Sequence, residues 1–117
     1  MNEGEVWFAS FPLEEDQGKF KPRPVVILDI KGKEILSVKI TKHDPRPKDP
    51  FDVTIIHWRE AGLDRASTAR VSKTMPLDKE HFAFKIGEMY PFDLKTIQEV
   101  HIAYIIQRQR PVRFGSP

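Results

Sequence analysis

Cysteine is absent from this chain of 117 residues, which excludes disulfide bonds, thiolate catalysis and thiolate zinc sites. Glycine is scarce, and its six residues are not clustered. The phosphate-cradling patterns GxGxxG and GxxxxGK[S/T] do not occur, so a cradle built from backbone N–H groups is not expected. No apolar run approaches the ~20 residues of a membrane span, and the first residues lack the basic region of a signal peptide. These absences predict a soluble, cytoplasmic protein.

Metal-ligand patterns are also missing. The four histidines, at positions 43, 57, 81 and 101, are scattered along the chain without HxH or HExxH spacing, so no metal and no cofactor are expected. A G-x-S-x-G nucleophile elbow is absent as well, which argues against a serine hydrolase.

Charge is nearly balanced overall, at a formal +2, but it is unevenly distributed. Residues 1–18 carry five acidic and no basic residues, whereas residues 19–48 carry nine basic and three acidic ones. Such asymmetry is compatible with an anionic partner meeting one face of the protein. Chance segregation on a solvated surface is the alternative that composition leaves open.

Hydrophobic periodicity predicts six short strands and one helix. The expected strands cover residues 5–10, 25–30, 35–41, 52–56, 68–73 and 82–87. Residues 11–24 are predicted to be a long polar loop because they contain three prolines and a glycine. Residues 76–80 are predicted to form a short helical turn. The helix is expected over residues 94–109, with Asp93 as its N-cap.

This order of elements contains no strand–helix alternation, which makes a parallel α/β fold unexpected. The predicted class is mainly β, a small curved antiparallel sheet or partial barrel with a C-terminal helix. One domain is expected over residues 1–110, followed by a tail at 111–117. On the helix, Ile102, Ile105 and Ile106 widen the apolar surface beyond one stripe. That surface either packs on the sheet alone or also contacts another subunit.

Arg23 lies at the start of the predicted central strand, between Pro22 and Pro24. Counting outward from Gly32, where a hairpin is expected, places Thr41 near-opposite Arg23 across the ladder. A guanidinium and a hydroxyl at such a position could bind and polarise a phosphate. The other interpretation is that Arg23 pairs with Glu15 or Asp16 and anchors the loop.

Five segments together resemble the MazF/PemK toxins of bacterial toxin–antitoxin modules. They are GEVWFASF at 4–11, QGKFKPRPVVIL at 17–28, ILSVKIT at 35–41, LDRASTARVSK at 63–73 and MPLDKEHFAFKIGEM at 75–89. Each segment is short, but their order and spacing extend the similarity over roughly residues 4–106. The resemblance implies a small SH3-like or barrel-like fold of the MazF/CcdB/Kid type, with a homodimer as the usual assembly.

The resemblance also implies an activity and partners. The family's typical activity is a metal-independent endoribonuclease that cuts single-stranded RNA through attack of the 2′-OH and halts translation, and a cognate antitoxin holds the toxin inactive. Two alternatives of the same fold stay open, namely a protein that poisons a target such as a gyrase and a non-catalytic nucleic-acid-binding module.

Site residues follow from the positions that match the family. The arginine of the R-P motif and the threonine that ends the following strand correspond to Arg23 and Thr41, the expected catalytic pair. Arg23 would stabilise the transition state and donate a proton, since its pKa above ~12 makes it a reluctant base. The general base is not assigned, with His43, Glu15 and Asp16 as candidates. The predicted RNA-binding residues are Gln17, Lys19, Phe20, Lys21, Lys42, His43, Arg46 and Lys73.

One departure from the family concerns the stretch before the L-D-K turn. Family members often carry a glutamine–arginine–threonine pattern there, whereas this chain has Ser72 to Pro76 without an arginine. Lys73 could supply the charge but not the bidentate fork. Phe20, in the segment before the R-P motif, is expected either to stack on a base or to pack on the barrel.

Overall fold

Six antiparallel strands form one sheet in the order β4-β5-β3-β2-β1-β6. The structure, a computed structural model, describes residues 1–109, so the predicted tail at 111–117 lies outside the described residues. The strands are β1 Glu5–Pro12, β2 Phe20–Lys31, β3 Glu34–Thr41, β4 Asp52–Ile55, β5 Ser67–Asp78 and β6 Phe82–Glu88. A single α-helix, α1 Pro91–Gln109, follows them in the described part of the chain. The predicted class of an antiparallel sheet with a C-terminal helix is confirmed.

The predicted loop at residues 11–24 is too long, because half of this segment is strand. β1 continues to Pro12 and β2 begins at Phe20, which leaves only residues 13–19 as a connection. Pro22 and Pro24 lie inside β2, opposite Ser10 and Phe8 of β1. Proline is tolerated in a strand that lacks a ladder on one side, and the ladder between β2 and β3 ends at the Val25–Lys39 pair.

The hairpin of β2 and β3 turns at Gly32, whose φ of +61° suits the left-handed region that glycine favours. The ladder starts at Lys31–Glu34 and shifts register between Ile27 and Asp29, so Leu28 is an extra residue on β2. Val25 to Leu28 are all buried, so this part of β2 is covered on both faces of the sheet.

Two hydrophobic clusters occupy the two faces of the sheet. The larger includes Val26, Val38 and Val71 with Ile97 of α1. The smaller includes Ala9, Phe11, Val25 and Leu77. The helix therefore covers one face, while the other face keeps a small apolar cluster and a neighbouring polar surface.

The sheet curves until the segment that follows β4 at one edge contacts β6 at the other edge. Gly62, in the segment after β4, has φ +86°, and a Cβ added there would lie 2.7 Å from the carbonyl oxygen of Ile86 in β6. Only glycine allows this close approach of the two backbones. The contact supports the predicted partial barrel.

Two local predictions near the C-terminus are wrong. Residues 76–78 continue β5, because Leu77 pairs with Ile35 of β3, and only Lys79–His81 form a short 3₁₀ helix. The helix begins at Pro91, so Asp93 lies in its first turn and is not the N-cap. The fully buried Asp93 carboxylate instead accepts hydrogen bonds from the backbone N–H groups of Ile56 at 3.1 Å and His57 at 2.7 Å. Among residues 1–109, no helix is long and apolar enough to cross a membrane.

Candidate functional site

A cleft opens where the ladder between β2 and β3 ends. Two residues beyond the last pair, Val25–Lys39, the same register sets Arg23 opposite Thr41. Both side chains line a cleft of about 360 Å³, together with Phe8, His43 and Arg65. The structure therefore brings together the two residues that the sequence predicts as a pair.

Arg23 is half-buried. Among residues 1–109, no carboxylate oxygen lies within 4.0 Å of its guanidinium. The alternative that Arg23 pairs with Glu15 or Asp16 is therefore wrong for the described residues. Asp16 instead accepts a hydrogen bond from the backbone N–H of Gly18 at 3.1 Å.

Thr41 is only 5% exposed, and its Oγ1 accepts a hydrogen bond from the backbone N–H of His43 at 3.3 Å. The carbonyl of His43 accepts a second hydrogen bond from Thr68 Oγ1 at 2.7 Å. These two bonds hold the His43 backbone between the ends of β3 and β5. Because Thr41 Oγ1 acts as the acceptor toward His43, its own proton remains for a ligand.

A second cleft, of about 460 Å³, shares Arg23, Thr41 and His43 with the first. Lys39 lies at its base and is 5% exposed, two residues from Thr41 on the same side of β3. Its Nζ lies 3.2 Å from a carboxylate oxygen of Glu14. Burial lowers the pKa of Lys39, and the contact with Glu14 opposes that effect.

Glu14 bridges two lysines. Its carboxylate lies 3.1 Å from Lys73 Nζ and 3.2 Å from Lys39 Nζ. Hydrogen bonds from Lys73 first and Lys39 second lower the pKa of Glu14 to about 2, against the effect of burial. Glu14 is thus ionised at neutral pH and ties residues 13–19 to β3 and β5.

Arg70 lines the same cleft and lies opposite Lys39 in the ladder between β3 and β5. Its Nε is buried and has no hydrogen-bond partner among the described residues. Since buried polar atoms are nearly always satisfied, this donor is available to a bound acceptor.

Arg46 differs from its neighbours because its Nε and Nη2 donors already have acceptors. Its side chain bonds to Asp52 at 2.9 Å and to Asp49 at 2.8 Å, and its backbone N–H also donates to Asp52. The predicted role of Arg46 in RNA binding stays a prediction, and its observed contacts fasten residues 46–52 to one another.

The other predicted binding residues do not all lie in one place. Lys21, Lys42 and His43 line the first cleft beside Arg23, whereas Gln17 and Lys73 line a hollow of about 200 Å³ together with Glu14. Phe20 is 45% exposed and stacks on His81, with ring centroids 4.9 Å apart. Lys19 is exposed in the segment that connects β1 and β2.

Three residues of the second cleft were not expected from the sequence, namely Glu14, Lys39 and Arg70. A lysine two residues before Thr41 on a clean strand shares its face, so spacing could have pointed to Lys39. Glu14 and Arg70 reach the site through contacts far apart in the chain, for which local pattern gives no signal. Within residues 1–109, no group of three or more His, Asp or Glu side chains is placed to hold a metal ion.

Comparison with known proteins gives one family and several solved structures of the same fold. The family model for the PemK-like, MazF-like toxin of type II toxin-antitoxin systems matches residues 2–106. No curated protein matches the sequence.

Several solved structures share the fold. An endoribonuclease in complex with its cognate antitoxin, from Mycobacterial species, aligns with a TM-score of 0.66 at 15% identity, covering 95% of this chain and 99% of that chain. The Mycobacterium tuberculosis toxin MazF-mt6 aligns with a TM-score of 0.67 at 18% identity, covering 87% of this chain and 96% of that chain. A MazE-MazF structure from Deinococcus radiodurans aligns with a TM-score of 0.64 at 16% identity, covering 90% and 94%.

Proposed function

Because the chain belongs to the PemK-like, MazF-like toxin family of type II toxin–antitoxin systems, we propose that it is an endoribonuclease that cleaves single-stranded RNA. The observation that carries this proposal is the juxtaposition of Arg23 and Thr41 in one cleft. Arg23 has no carboxylate partner among residues 1–109. An arginine that is placed in a cleft and left without a counter-ion is suited to an anionic substrate.

The reaction that fits this site uses the substrate's own nucleophile. The 2′-OH attacks the adjacent phosphorus and the bond to the 5′-oxygen breaks, which leaves a 2′,3′-cyclic phosphate and a 5′-hydroxyl. DNA lacks the 2′-OH and would not be cut. The chemistry requires a proton acceptor, a proton donor and positive charge for the developing phosphorane, and it requires no metal or cofactor.

Arg23 and Thr41 would have different roles at the phosphate group. The guanidinium would stabilise the charge on the non-bridging oxygens and protonate the leaving 5′-oxygen, while the Thr41 hydroxyl would donate to a phosphate oxygen. Among the candidate bases, His43 is favoured because it lines both clefts with Arg23. Lys21 and Lys42 would contact flanking phosphates, and the exposed Phe20 ring would stack on a base.

The proposal includes two protein partners and a location. Solved relatives of the same fold include complexes with an antitoxin, and we propose that a cognate antitoxin neutralises this chain in the cytoplasm. Ile102 and Ile106 on α1 are each 58% exposed, and such apolar exposure supports a homodimer that buries part of the helix. Sedimentation should show a dimer at micromolar concentration, and a clean monomer would count against it.

Substitution of Arg23 tests the proposed activity. We expect Arg23→Ala to lower the cleavage rate by about 10²–10³-fold, the loss typical of one transition-state donor. The matched control is Lys33→Ala, which removes an exposed cation at the hairpin turn and should leave the rate unchanged. Purified protein and mixed RNA would be incubated with and without EDTA, and the ends analysed for 2′,3′-cyclic phosphate.

Two outcomes would contradict this assignment. A folded Arg23→Ala variant that cleaves at the full rate would remove Arg23 from the site. Growth arrest by the wild type without any RNA cleavage would favour the alternative of a poison that binds a protein target.

A further inference from the structure

A group of cations lies beside the proposed catalytic pair and has no part in the reaction as described. Lys39 and Arg70 face each other across β3 and β5, and both line the second cleft with Arg23. We call Lys39, Arg70 and the Glu14 carboxylate above them the anion pocket.

The anion pocket contains more positive than negative charge. The charges of Arg23 and Arg70 both lower the pKa of Lys39, which places each arginine within electrostatic reach of this lysine. Glu14 is the one carboxylate in ion-pair contact with Lys39 among the described residues. Like charges this close are held together at a cost unless an anion lies between them.

Arg70 has acid near it but not in contact: Asp52 lies opposite it in the ladder between β4 and β5, and the Asp52 carboxylate accepts hydrogen bonds from Arg46. The Nε of Arg70 is buried without a partner among residues 1–109, and no carboxylate lies within 4.0 Å of its guanidinium there. An oxyanion with several acceptor oxygens could satisfy Arg70 and Lys39 together, which one bridging carboxylate does not do.

Glu14 is placed to leave the pocket without disturbing the fold. Its side chain is 45% exposed, whereas that of Lys39 is 7% exposed. It extends from the segment of residues 13–19, which is closed by backbone hydrogen bonds from Leu13 to Lys19 and from Lys19 to Asp16. Rotation of one exposed side chain would therefore free both Lys39 and Lys73, and the backbone could stay in place.

We propose that Lys39 and Arg70 form a second phosphate subsite for the RNA backbone, and that Glu14 occupies it as an internal anion until a phosphate replaces it. The inference rests on the proposed function, since it assigns a neighbouring phosphate of the same RNA. Exchange of one anion for another keeps the buried lysine paired throughout. Glu14 thereby competes with the substrate and raises the RNA concentration needed for binding.

Binding of an uncleavable RNA tests the exchange. The probe is a mixed-sequence 2′-O-methyl RNA, whose blocked 2′ position prevents cleavage, titrated over a range of salt concentrations. Glu14→Gln should lower Kd about fivefold because the competing charge is gone. Lys39→Met should raise Kd about tenfold, and the slope of log Kd against log salt should fall by ~0.7 for the lost phosphate contact. Arg70→Gln should act in the same direction as Lys39→Met.

The double variant and a surface control distinguish competition by Glu14 at the subsite from a general effect of charge on RNA binding. With Lys39 already replaced, adding Glu14→Gln should change Kd much less than it does in the wild type, because the two residues act on one subsite. Lys33→Met, at the exposed hairpin turn, should leave both Kd and the salt slope unchanged. Circular dichroism would establish that each variant is folded.

The outcomes distinguish this inference from the proposed function. If Arg23→Ala lowers the cleavage rate as expected while folded Lys39→Met and Arg70→Gln keep the wild-type Kd and salt slope, the subsite is overturned and the catalytic assignment stands. A Glu14→Gln variant that binds no more tightly than the wild type overturns the competition. If the wild type neither cleaves RNA nor binds the probe, both proposals fail together.

Discussion

Two ion-pair clusters flank the second cleft, and they balance charge in opposite ways. In one, Arg46 is shared by two carboxylates, Asp49 and Asp52, and the Asp52 side chain is fully buried. In the other, Glu14 is shared by two lysines, Lys39 and Lys73, and it is the carboxylate that is exposed. The first cluster has an excess of acid and the second an excess of base.

This difference suits the Arg46 cluster to a structural role and the Glu14 cluster to the proposed binding of a ligand. The hydrogen bond with Asp52 is the largest cause of the raised pKa of the Arg46 guanidinium. Ser72 Oγ also donates a hydrogen bond to Asp49 at 2.6 Å. The Nε and Nη2 groups of Arg46 already have acceptors there, so a phosphate that bound these donors would have to displace a carboxylate, and the Asp52 carboxylate is fully buried. At Glu14, the carboxylate can turn toward solvent while the buried lysine cannot.

Removal of Asp52 should give the largest change in stability. Asp52→Asn takes a buried charge from Arg46, and we expect a loss of about 2 kcal/mol in the free energy of unfolding, below the full cost of a buried pair because Arg46 is partly exposed. Urea unfolding would measure it. Asp29→Asn is the matched control, since Asp29 pairs with exposed Lys31 only at 3.8 Å, and its expected loss is below about 0.5 kcal/mol. Equal losses in the two variants would contradict the structural role of Asp52.

The pH dependence of stability should report the second cluster. The pKa of Glu14 is lowered in the folded state to about 2, from an ordinary 4.5, so its stabilisation is present above pH ~5 and is lost as pH falls toward 2. Because the side chain is 45% exposed, solvent screening reduces the contribution to about 1 kcal/mol. Urea midpoints of the wild type and Glu14→Gln should converge over this range. A constant difference between them down to pH 2 would show that Glu14 stabilises the fold by something other than its charge.

Lys73 should matter least for stability. Its side chain is 34% exposed, and Glu14 keeps Lys39 when Lys73 is replaced, so we expect Lys73→Met to change the free energy of unfolding by less than about 0.5 kcal/mol. The same urea titration measures it. A loss as large as that of Asp52→Asn would mean that the Glu14 cluster is as structural as the Arg46 cluster, and the contrast between them would fail.

The strand cores were predictable from sequence because they depend on local alternation, as in Leu36, Val38 and Ile40. The extents of β1 and β2 were not, since prolines in residues 11–24 predict a loop when no neighbouring strand is known. β1 provides that neighbour and pairs with Pro22 and Pro24. Asp93 likewise follows an N-cap pattern, but its acceptors are used by Ile56 and His57, more than thirty residues earlier.

The Arg23–Thr41 pairing was predicted correctly through two errors that cancel. A turn centred on Gly32 would put Arg23 opposite Thr41, whereas the innermost pair is Lys31–Glu34, which alone would put Pro24 there. The extra residue at Leu28 shifts the register by one and restores Arg23 to that place. A bulge leaves no reliable mark in a continuous apolar run, so the sequence alone does not reveal this shift of register. The anion pocket could not be predicted at all, because it assembles from three separate segments.

Pro24 keeps the cleft between β2 and β3 open. Followed from the hairpin, the ladder between β2 and β3 ends at Val25, the residue next to Pro24. Proline has no backbone N–H and cannot donate a further ladder hydrogen bond. The opening is therefore a property of the backbone and does not depend on the side chains that line the cleft. Side chains along its walls could be exchanged to suit one RNA sequence or another, and the two strands would still be kept from sealing over the place where Arg23 and Thr41 meet.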